Sequence, residues 1–399
     1  VRIALVYSHL KELGGAENVI LKQFELLHKD GYDTKCYFAY VDKSQKKGTP
    51  NPHNYIESYF HWLLPCNKTA RIILSMPLAP LTLKVFKEFD VLLCHGYGPA
   101  PLIGYFVKRF LKKNYVSYIH SPPRFLYLDD ESKERWRFDD TRGLIILLSK
   151  MSGPLLKKLD YLGIINSDRI LVNSFFTAKR VREIYGVKAK VCYPPLDTSV
   201  FKILPQKMVK STRRRFGWPL ILSTGRIVAV KRWEWLIEIM PYMKREFPST
   251  TLAITGEISS QNIHYVRFLS KLAKSRGVAK NVRFLGYKSL GELVSLYNAA
   301  DVYTYTVPKE DFGLGPVEAM SCGTPAVVWN DGGGPCETVI DGKTGFKAKP
   351  YDIEDFAQKA MKAVDFEKCV EGRLLHNFVE ENFSCGRHLQ ILKETIENL

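Results

Sequence analysis

Apolar residues along the chain fall into short runs, separated by stretches where they recur every three or four positions. "RIALVYS", from Arg2, has the length and character of a buried strand. The loop "HLKELGG" follows. A helix is then predicted from Ala16 to about Lys29, with Val19, Ile20, Phe24 and Leu27 on one face. "TKCYFAY", "DVLLCHG", "YVSYIHS", "RILVNS" and "KVCYPP" repeat the strand signal, with helical patterns between them. That alternation predicts a parallel sheet covered by helices on both faces. The pattern then starts again with "PLILSTGRI", "TLAITGE", "VRFLGY", "DVYTYT" and "PAVVWN", interleaved with helices over 233–246, 262–275 and 290–299. From Tyr351 on, the spacing is helical. The chain therefore reads as α/β, two doubly wound domains joined around 195–217. A length of 399 residues suits two domains.

Charge adds a direction. The net charge is +17, and residues 1–200 hold 30 Lys/Arg against 19 Asp/Glu. Such a half suits an anionic partner: a phosphorylated ligand, nucleic acid or an anionic membrane. No nucleic-acid-binding signature accompanies the charge, so nucleic acid is not expected as a partner. Two segments, Tyr59–Phe86 and Arg142–Ile165, mix bulky apolar residues with Lys and Arg. They read equally well as core helices or as surfaces for an anionic membrane. No run is long enough to span a bilayer. The opening strand pattern lacks the longer apolar core of a signal peptide. The eight cysteines are scattered, without C-x-x-C or zinc spacing. Free thiols in a reducing, cytoplasmic setting are the expectation.

The candidate chemistry sits where open α/β sheets bind ligands, at the carboxyl ends of strands. Gly14 and Gly15 stand before the first helix, where a close backbone and free amides suit an anion. The dinucleotide fingerprint G-x-G-x-x-G is absent. In "STGRIVAVKRWEWL", Arg226 follows a strand and Lys231 precedes a helix, a pair of cations suited to a diphosphate. In "PKEDFGLGPVEAMSCGTPAVVWNDGGGP", Glu310 and Glu318 are separated by seven residues. Glu310 falls in the loop after a strand, followed by the amides of Asp311, Phe312, Gly313 and Leu314. Pro316 suits the first turn of a helix, which places Glu318 early in it. A carboxylate can accept two sugar hydroxyls at once, so Glu310 would hold a hexose and Glu318 a ribose.

Taken in order, these residues resemble the retaining glycosyltransferases of family 4, of GT-B architecture. Glu310 and Glu318 match the E-x7-E motif, Gly14–Glu17 the "GGAE" loop, and Arg226 with Lys231 and Arg232 the "GR…KR" loop. Residues 332–346 match the "GGGPxETVxxGxTGF" tract. The resemblance implies two Rossmann-like doubly wound domains facing a central cleft: an acceptor-side domain over 1–200, a linker over 201–216, a donor domain over 217–375, and a helix over 376–399 returning to the N-terminal domain. It implies that Gly15 approaches the donor diphosphate, that Arg226 and Lys231 stabilise the leaving group, and that Gly286, Tyr287 and Lys288 lie by the base. His120, in "YIHSPPR", would face the donor sugar. "HSPPRFLY" and the stretch 173–201 are similar to members using GDP-mannose in O-antigen or lipid-linked glycan assembly. GDP-mannose is thus the favoured donor, a UDP-sugar the alternative, and a glycan or lipid-linked molecule the acceptor. No cofactor is implied, and the missing D-x-D agrees with a metal-free site. The rival readings are a GT-B-fold nucleotide-sugar epimerase and a non-catalytic nucleotide-sugar-binding regulator.

Overall fold

The computed structural model describes residues 1–10, 14–41, 56–58, 76–124, 126–127, 142–260, 262–366 and 368–399. The chain divides into two compact units. Within the described residues, one takes Val1–Ser132, Asp140–Pro195 and Cys385–Leu399, and the other Leu196–Ser384.

The first unit is built on a parallel seven-stranded sheet. Its strands are β1 (Arg2–Leu10), β2 (Asp33–Val41), β3 (Ile56–Ser58), β4 (Val91–His95), β5 (Asn114–Ile119), β6 (Arg169–Val172) and β7 (Lys190–Val191), in the order β3-β2-β1-β4-β5-β6-β7. β1 lies inside the sheet, with Ile3 opposite Thr34 on one side and Val91 on the other. The apolar runs are continuous because both faces of the sheet are covered. Helix α1 (Gly15–Lys29) buries Val19, Ile20 and Leu27 against it. Around the sheet lie α2 (Leu83–Phe86), α3 (Pro99–Leu111), α4 (Arg142–Ile165) and α5 (Phe175–Tyr185). Gly163 of α4 lies against α3, where a Cβ would come 2.8 Å from the Leu102 amide nitrogen.

The second unit has a parallel six-stranded sheet of order β10-β9-β8-β11-β12-β13. Its strands are β8 (Leu220–Thr224), β9 (Thr251–Thr255), β10 (Val282–Gly286), β11 (Val302–Tyr305), β12 (Ala326–Trp329) and β13 (Gly345–Ala348). The helices are α6 (Gln206–Arg213), α7 (Trp233–Glu246), α8 (Ile263–Ser275), α9 (Leu290–Ala299), α10 (Leu314–Ser321), α11 (Pro335–Thr338), α12 (Ile353–Val364) and α13 (Lys368–Phe383). A last helix, α14 (Cys385–Glu397), belongs to the first unit. β13 carries too short an apolar run to stand out in the sequence. A Cβ at its Gly345 would fall 2.0 Å from the Ala326 carbonyl oxygen, so glycine lets this strand close on β12.

The residues read as a linker, 201–216, fold into the second unit instead. The Leu204 amide donates to Asn298 Oδ1 at 2.8 Å, and Arg213 pairs with Asp301 at 3.1 Å. The return to the first unit begins at Cys385 rather than at residue 376. Phe383 is held by its carbonyl, which accepts the Leu196 amide at 2.8 Å, and by its ring against Phe312. Beyond it, His388 of α14 lies buried between Gln23 Nε2 at 2.9 Å and the Tyr193 carbonyl at 2.6 Å. Burial holds the His388 imidazole down to about 4, so it is neutral at pH 7.

Of the two segments with mixed apolar and basic character, Tyr59–Ser75 lies outside the described residues. Met76, Ala79 and Phe86 are core residues. In α4, Ile164 is buried, as is Asp160, which accepts from Tyr185 at 2.7 Å, Tyr127 at 3.2 Å and the Gly98 amide at 3.2 Å. Among the described residues no helix is long and apolar enough to cross a membrane.

Candidate functional site

In the second unit the carboxyl ends of β8, β9 and β10 are drawn together by glycines. The Gly225 amide donates to the Thr255 carbonyl at 3.1 Å, and the Gly256 amide to Gly286 at 3.1 Å. A Cβ at Gly256 would lie 2.1 Å from the Gly225 carbonyl oxygen. Arg226 emerges exposed from this edge, its carbonyl pinned by Trp233 Nε1 at 3.2 Å. Beside it Gly286 has φ +67, Tyr287 is 75% exposed, and Lys288 pairs with Glu292 at 3.7 Å.

The chain after Arg226 makes a tight turn over Ala229–Lys231 before α7. The two basic residues of the turn part company there. Arg232 is buried, with its guanidinium over Trp235 and 3.3 Å from Glu234, so it holds the turn. Lys231 reaches across the strand ends to Glu310 Oε2 at 3.0 Å and to the Tyr305 hydroxyl at 3.0 Å. Tyr305 also donates to Glu310 Oε2 at 3.0 Å. The other carboxylate oxygen takes the Asp311 amide at 3.2 Å, and the Glu310 carbonyl takes the Gly334 amide at 2.7 Å. Asp311 and Phe312 are buried, and Gly313 has φ +83 as the chain enters α10 at Leu314. A Cβ on Gly334 would fall 2.3 Å from the Asp311 carbonyl, so the glycine tract lies directly on the Glu310 loop.

Glu318, the fifth residue of α10, accepts from Tyr297 at 2.5 Å. The Tyr297 hydroxyl also meets Thr224 Oγ1, at 2.8 Å, and Tyr303 meets that oxygen at 3.0 Å. The carboxylate is thereby tied to the last residue of β8. The residue keeps part of its surface exposed, yet burial of the carboxyl pushes its pKa up. The structure thus gathers Arg226, Lys231, Glu310, Glu318 and the 286–288 turn at one sheet edge. Tyr297 and Tyr305 complete it. Their only trace in the sequence is their position at a helix end and a strand end.

In the first unit the carboxyl ends of β1, β4 and β5 carry a second group. His120 Nε2 meets His95 Nδ1 at 3.2 Å, and Asn173 Nδ2 donates to the His120 carbonyl at 2.8 Å. The two imidazoles are tilted by 23° with centroids 5.4 Å apart, so they meet edge to edge. His95 is wholly buried; burial first, then His120 and His388, hold its pKa well below the usual range. Gly14 caps α1, and a Cβ there would lie 2.8 Å from a Glu17 carboxylate oxygen. Glu17 folds back over the helix start to His9 Nε2 at 3.3 Å, while Ser8 Oγ meets His9 Nδ1 at 2.8 Å. This gives the first glycine of the pair a steric reason and leaves Gly15 as the first helical residue. His95 and His9 gave no sequence signal beyond ending strands.

Comparison with known proteins follows the same division. Residues 13–200 match the family described as Glycosyltransferase Family 4, and residues 207–381 match Glycosyl transferases group 1. The D-inositol 3-phosphate glycosyltransferase of Mycolicibacterium smegmatis is 29% identical over 214 residues, 52% of this chain and 48% of that protein. The GDP-mannose-dependent alpha-(1-6)-phosphatidylinositol monomannoside mannosyltransferase of the same organism is 30% identical over 201 residues, 47% of this chain and 51% of that protein. The chain spans about half the length of the curated relatives it matches. Among solved structures, Anabaena Alr3699/HepE in complex with UDP is similar with a TM-score of 0.77 at 19% identity, covering 100% of both chains. Sucrose-phosphate synthase from Thermosynechococcus elongatus is similar with a TM-score of 0.78 at 18% identity, covering 99% of this chain and 98% of that one. These likenesses show the fold, which is GT-B. The two family matches together take in nearly the whole length, and the chain belongs to the glycosyltransferases that join a family 4 domain to a group 1 domain.

Proposed function

We propose that the protein transfers a hexose from a nucleotide-diphosphate sugar to an acceptor hydroxyl, with retention at the anomeric carbon and without a metal ion. The observation that carries this reading is the Lys231–Glu310–Tyr305 cluster beside Arg226 at the carboxyl edge of the second sheet. It joins fixed positive charge, suited to a leaving diphosphate, to a carboxylate suited to sugar hydroxyls. Breaking the bond between the anomeric carbon and the phosphate oxygen leaves positive charge on the sugar and negative charge on the diphosphate. Cations held in place before the reaction stabilise that separation without reorganising. The acceptor oxygen bonds to the anomeric carbon on the face the diphosphate leaves, and its proton passes to the departing phosphate oxygen.

Arg226 and Lys231 act on the diphosphate in this account. Glu310 and the amides of Asp311, Phe312, Gly313 and Leu314 grip the sugar, Glu318 the ribose, and Gly286, Tyr287 and Lys288 lie by the base. Gly14, Gly15 and His120 keep the roles that the family resemblance gives them. His95 orients His120 and keeps one of its ring nitrogens occupied. GDP-mannose is the favoured donor and a UDP-sugar the alternative. A relative named as GDP-mannose-dependent and a structure solved with UDP mark the two choices. The acceptor is a glycan or lipid-linked molecule met at an anionic surface on the cytoplasmic face of a membrane.

The test offers radiolabelled GDP-mannose and UDP-glucose with lipid-linked glycan acceptors, in the presence of chelator, and reads the product's anomeric configuration by NMR. Transfer with retention is expected from one donor, and Glu310→Ala should abolish it. An inverted product, a strict divalent-metal requirement or wild-type rates in the variant would overturn the reading.

A further inference from the structure

One stretch of the second unit carries charge that the proposed chemistry does not use. Between Asp197 and Glu234 the sequence has no acidic residue, while Lys202, Lys207, Lys210, Arg213, Arg214 and Arg215 crowd its first part. Helix α6 runs through it and has no buried residue. Val209, Thr212 and Arg213 are partly covered, on the side that packs against α9. Lys207, Lys210 and Arg214 are exposed and recur at i, i+3 and i+7, so they form one outward stripe. None of the three pairs with a carboxylate among the described residues; Arg213 alone does, with Asp301. Exposed apolar side chains occur on the helix and on either side of it in sequence: Met208, on the helix, is 57% exposed, Ile203, three residues before it, 41%, and Trp218, five residues after it, 51%.

The helix is poorly served by its own sequence. Its N-cap is Pro205, with no side-chain cap, and its first turn holds no acid. Lys207 sits where the helix dipole disfavours a cation. Like charges spaced three and four apart repel. A local cost of this kind, with no compensating contact inside the fold, points to a partner outside it. The location also separates the stripe from the Lys231–Glu310 cluster. Arg213 bonds to the Gly217 carbonyl and Asp301, which takes the Leu220 amide, so the helix ends at the amino ends of β8 and β11. The cluster around Glu310 lies at the opposite ends of those strands.

We propose that this outer face of α6, with the exposed Met208 as its apolar contact, docks the second unit onto an anionic lipid surface. The charge matches acidic headgroups, and the Met side chain suits the boundary between headgroups and acyl chains. The inference rests on the reading that the protein works at a membrane, and it assigns the surface that does so. A nucleic acid would meet the charge but leave the exposed Met208 without a role.

The experiment sediments the full chain with phosphatidylcholine vesicles, plain or with a third of phosphatidylglycerol, at low and high salt. Three proteins are compared: wild type, a K207A/K210A/R214A variant, and a charge-matched control, K343A/K349A/K362A, at exposed positions elsewhere. Wild type and control should bind the anionic vesicles in low salt and release in high salt. The stripe variant should bind on the order of 100-fold more weakly, as three cations near a charged surface imply. Met208→Ser should weaken binding even at fixed charge. Equal binding by stripe variant and wild type would overturn this assignment while leaving the membrane reading in place. No binding by wild type would remove both. Binding to a short RNA duplex as tight as to vesicles, and equally lost in the stripe variant, would replace lipid by nucleic acid.

Discussion

The carboxyl edges of the two sheets are built on opposite principles. In the second unit the edge is ionic: a lysine and a carboxylate 3.0 Å apart, bridged by a tyrosine and seated on glycines. In the first unit it is made largely of rings: His95, buried and neutral, meets His120 edge to edge, and Tyr7 stands half-buried beside them. In the proposed reaction the charged edge is the one that holds the diphosphate. The contrast implies that mutations at the ionic edge act on leaving-group chemistry, and mutations at the imidazole edge act on positioning.

The largest effect is expected at the ion pair. Glu310→Gln and Lys231→Ala should each lower kcat/KM by about a thousandfold, about 4 kcal/mol of transition-state stabilisation. Because they touch at 3.0 Å, the double variant should lose far less than the sum. Additive losses in a double-mutant cycle would mean the two side chains act independently.

A smaller effect is expected at His95. His95→Phe keeps the buried volume filled but removes the partner of His120 Nε2. The expected loss is roughly 10- to 100-fold in kcat, about 1–3 kcal/mol, with a shifted acid limb in the pH–rate profile and an unchanged melting temperature. A lower melting temperature with an unaltered profile would make His95 a packing residue only.

The smallest effect concerns stability and leaves chemistry untouched. His388 is buried neutral, with a folded-state pKa of about 4 against about 6.5 when unfolded. The unfolded chain therefore binds the proton first, and stability falls as pH drops below about 6.5. The loss should reach roughly 2 kcal/mol by pH 5. Hydrogen exchange in α1 and α14, the helices that enclose His388, should report it, and His388→Asn should flatten the dependence.

The same contrast explains what the sequence discloses. The ionic edge is encoded by contiguous stretches, 225–232 and 308–335, where glycine, proline and charge occur together and mark a loop between strand and helix. The spacing of Glu310 and Glu318 can be read directly because one loop and one helix start carry both. The imidazole edge is assembled from single residues at the ends of strands far apart in the chain, so His95 looks like any strand-terminal histidine until β4 and β5 pair. The α/β alternation is plain in the apolar runs. The short strands β3 and β13 escape because Ile56–Ser58 and Gly345–Ala348 break their apolar residues with Glu57, Ser58 and Lys347, whereas the equally short β12 is an apolar run. The segment 201–216 looks like a linker because its residues are basic and turn-forming. Asp301 and Asn298, about a hundred residues away, give it a place in the second unit.

The central claim is that the cluster at Lys231 and Glu310 holds a nucleotide-diphosphate sugar. Its most direct test is a thermal-shift titration of the wild type and Glu310→Ala with GDP-mannose, UDP-glucose, GDP and UDP. The account predicts that one nucleotide sugar raises the wild-type midpoint in a concentration-dependent way. It also predicts that Glu310→Ala responds to that sugar donor no more than to the bare diphosphate. A midpoint indifferent to all four ligands, or a variant that gains as much from the sugar donor as the wild type does, would contradict it.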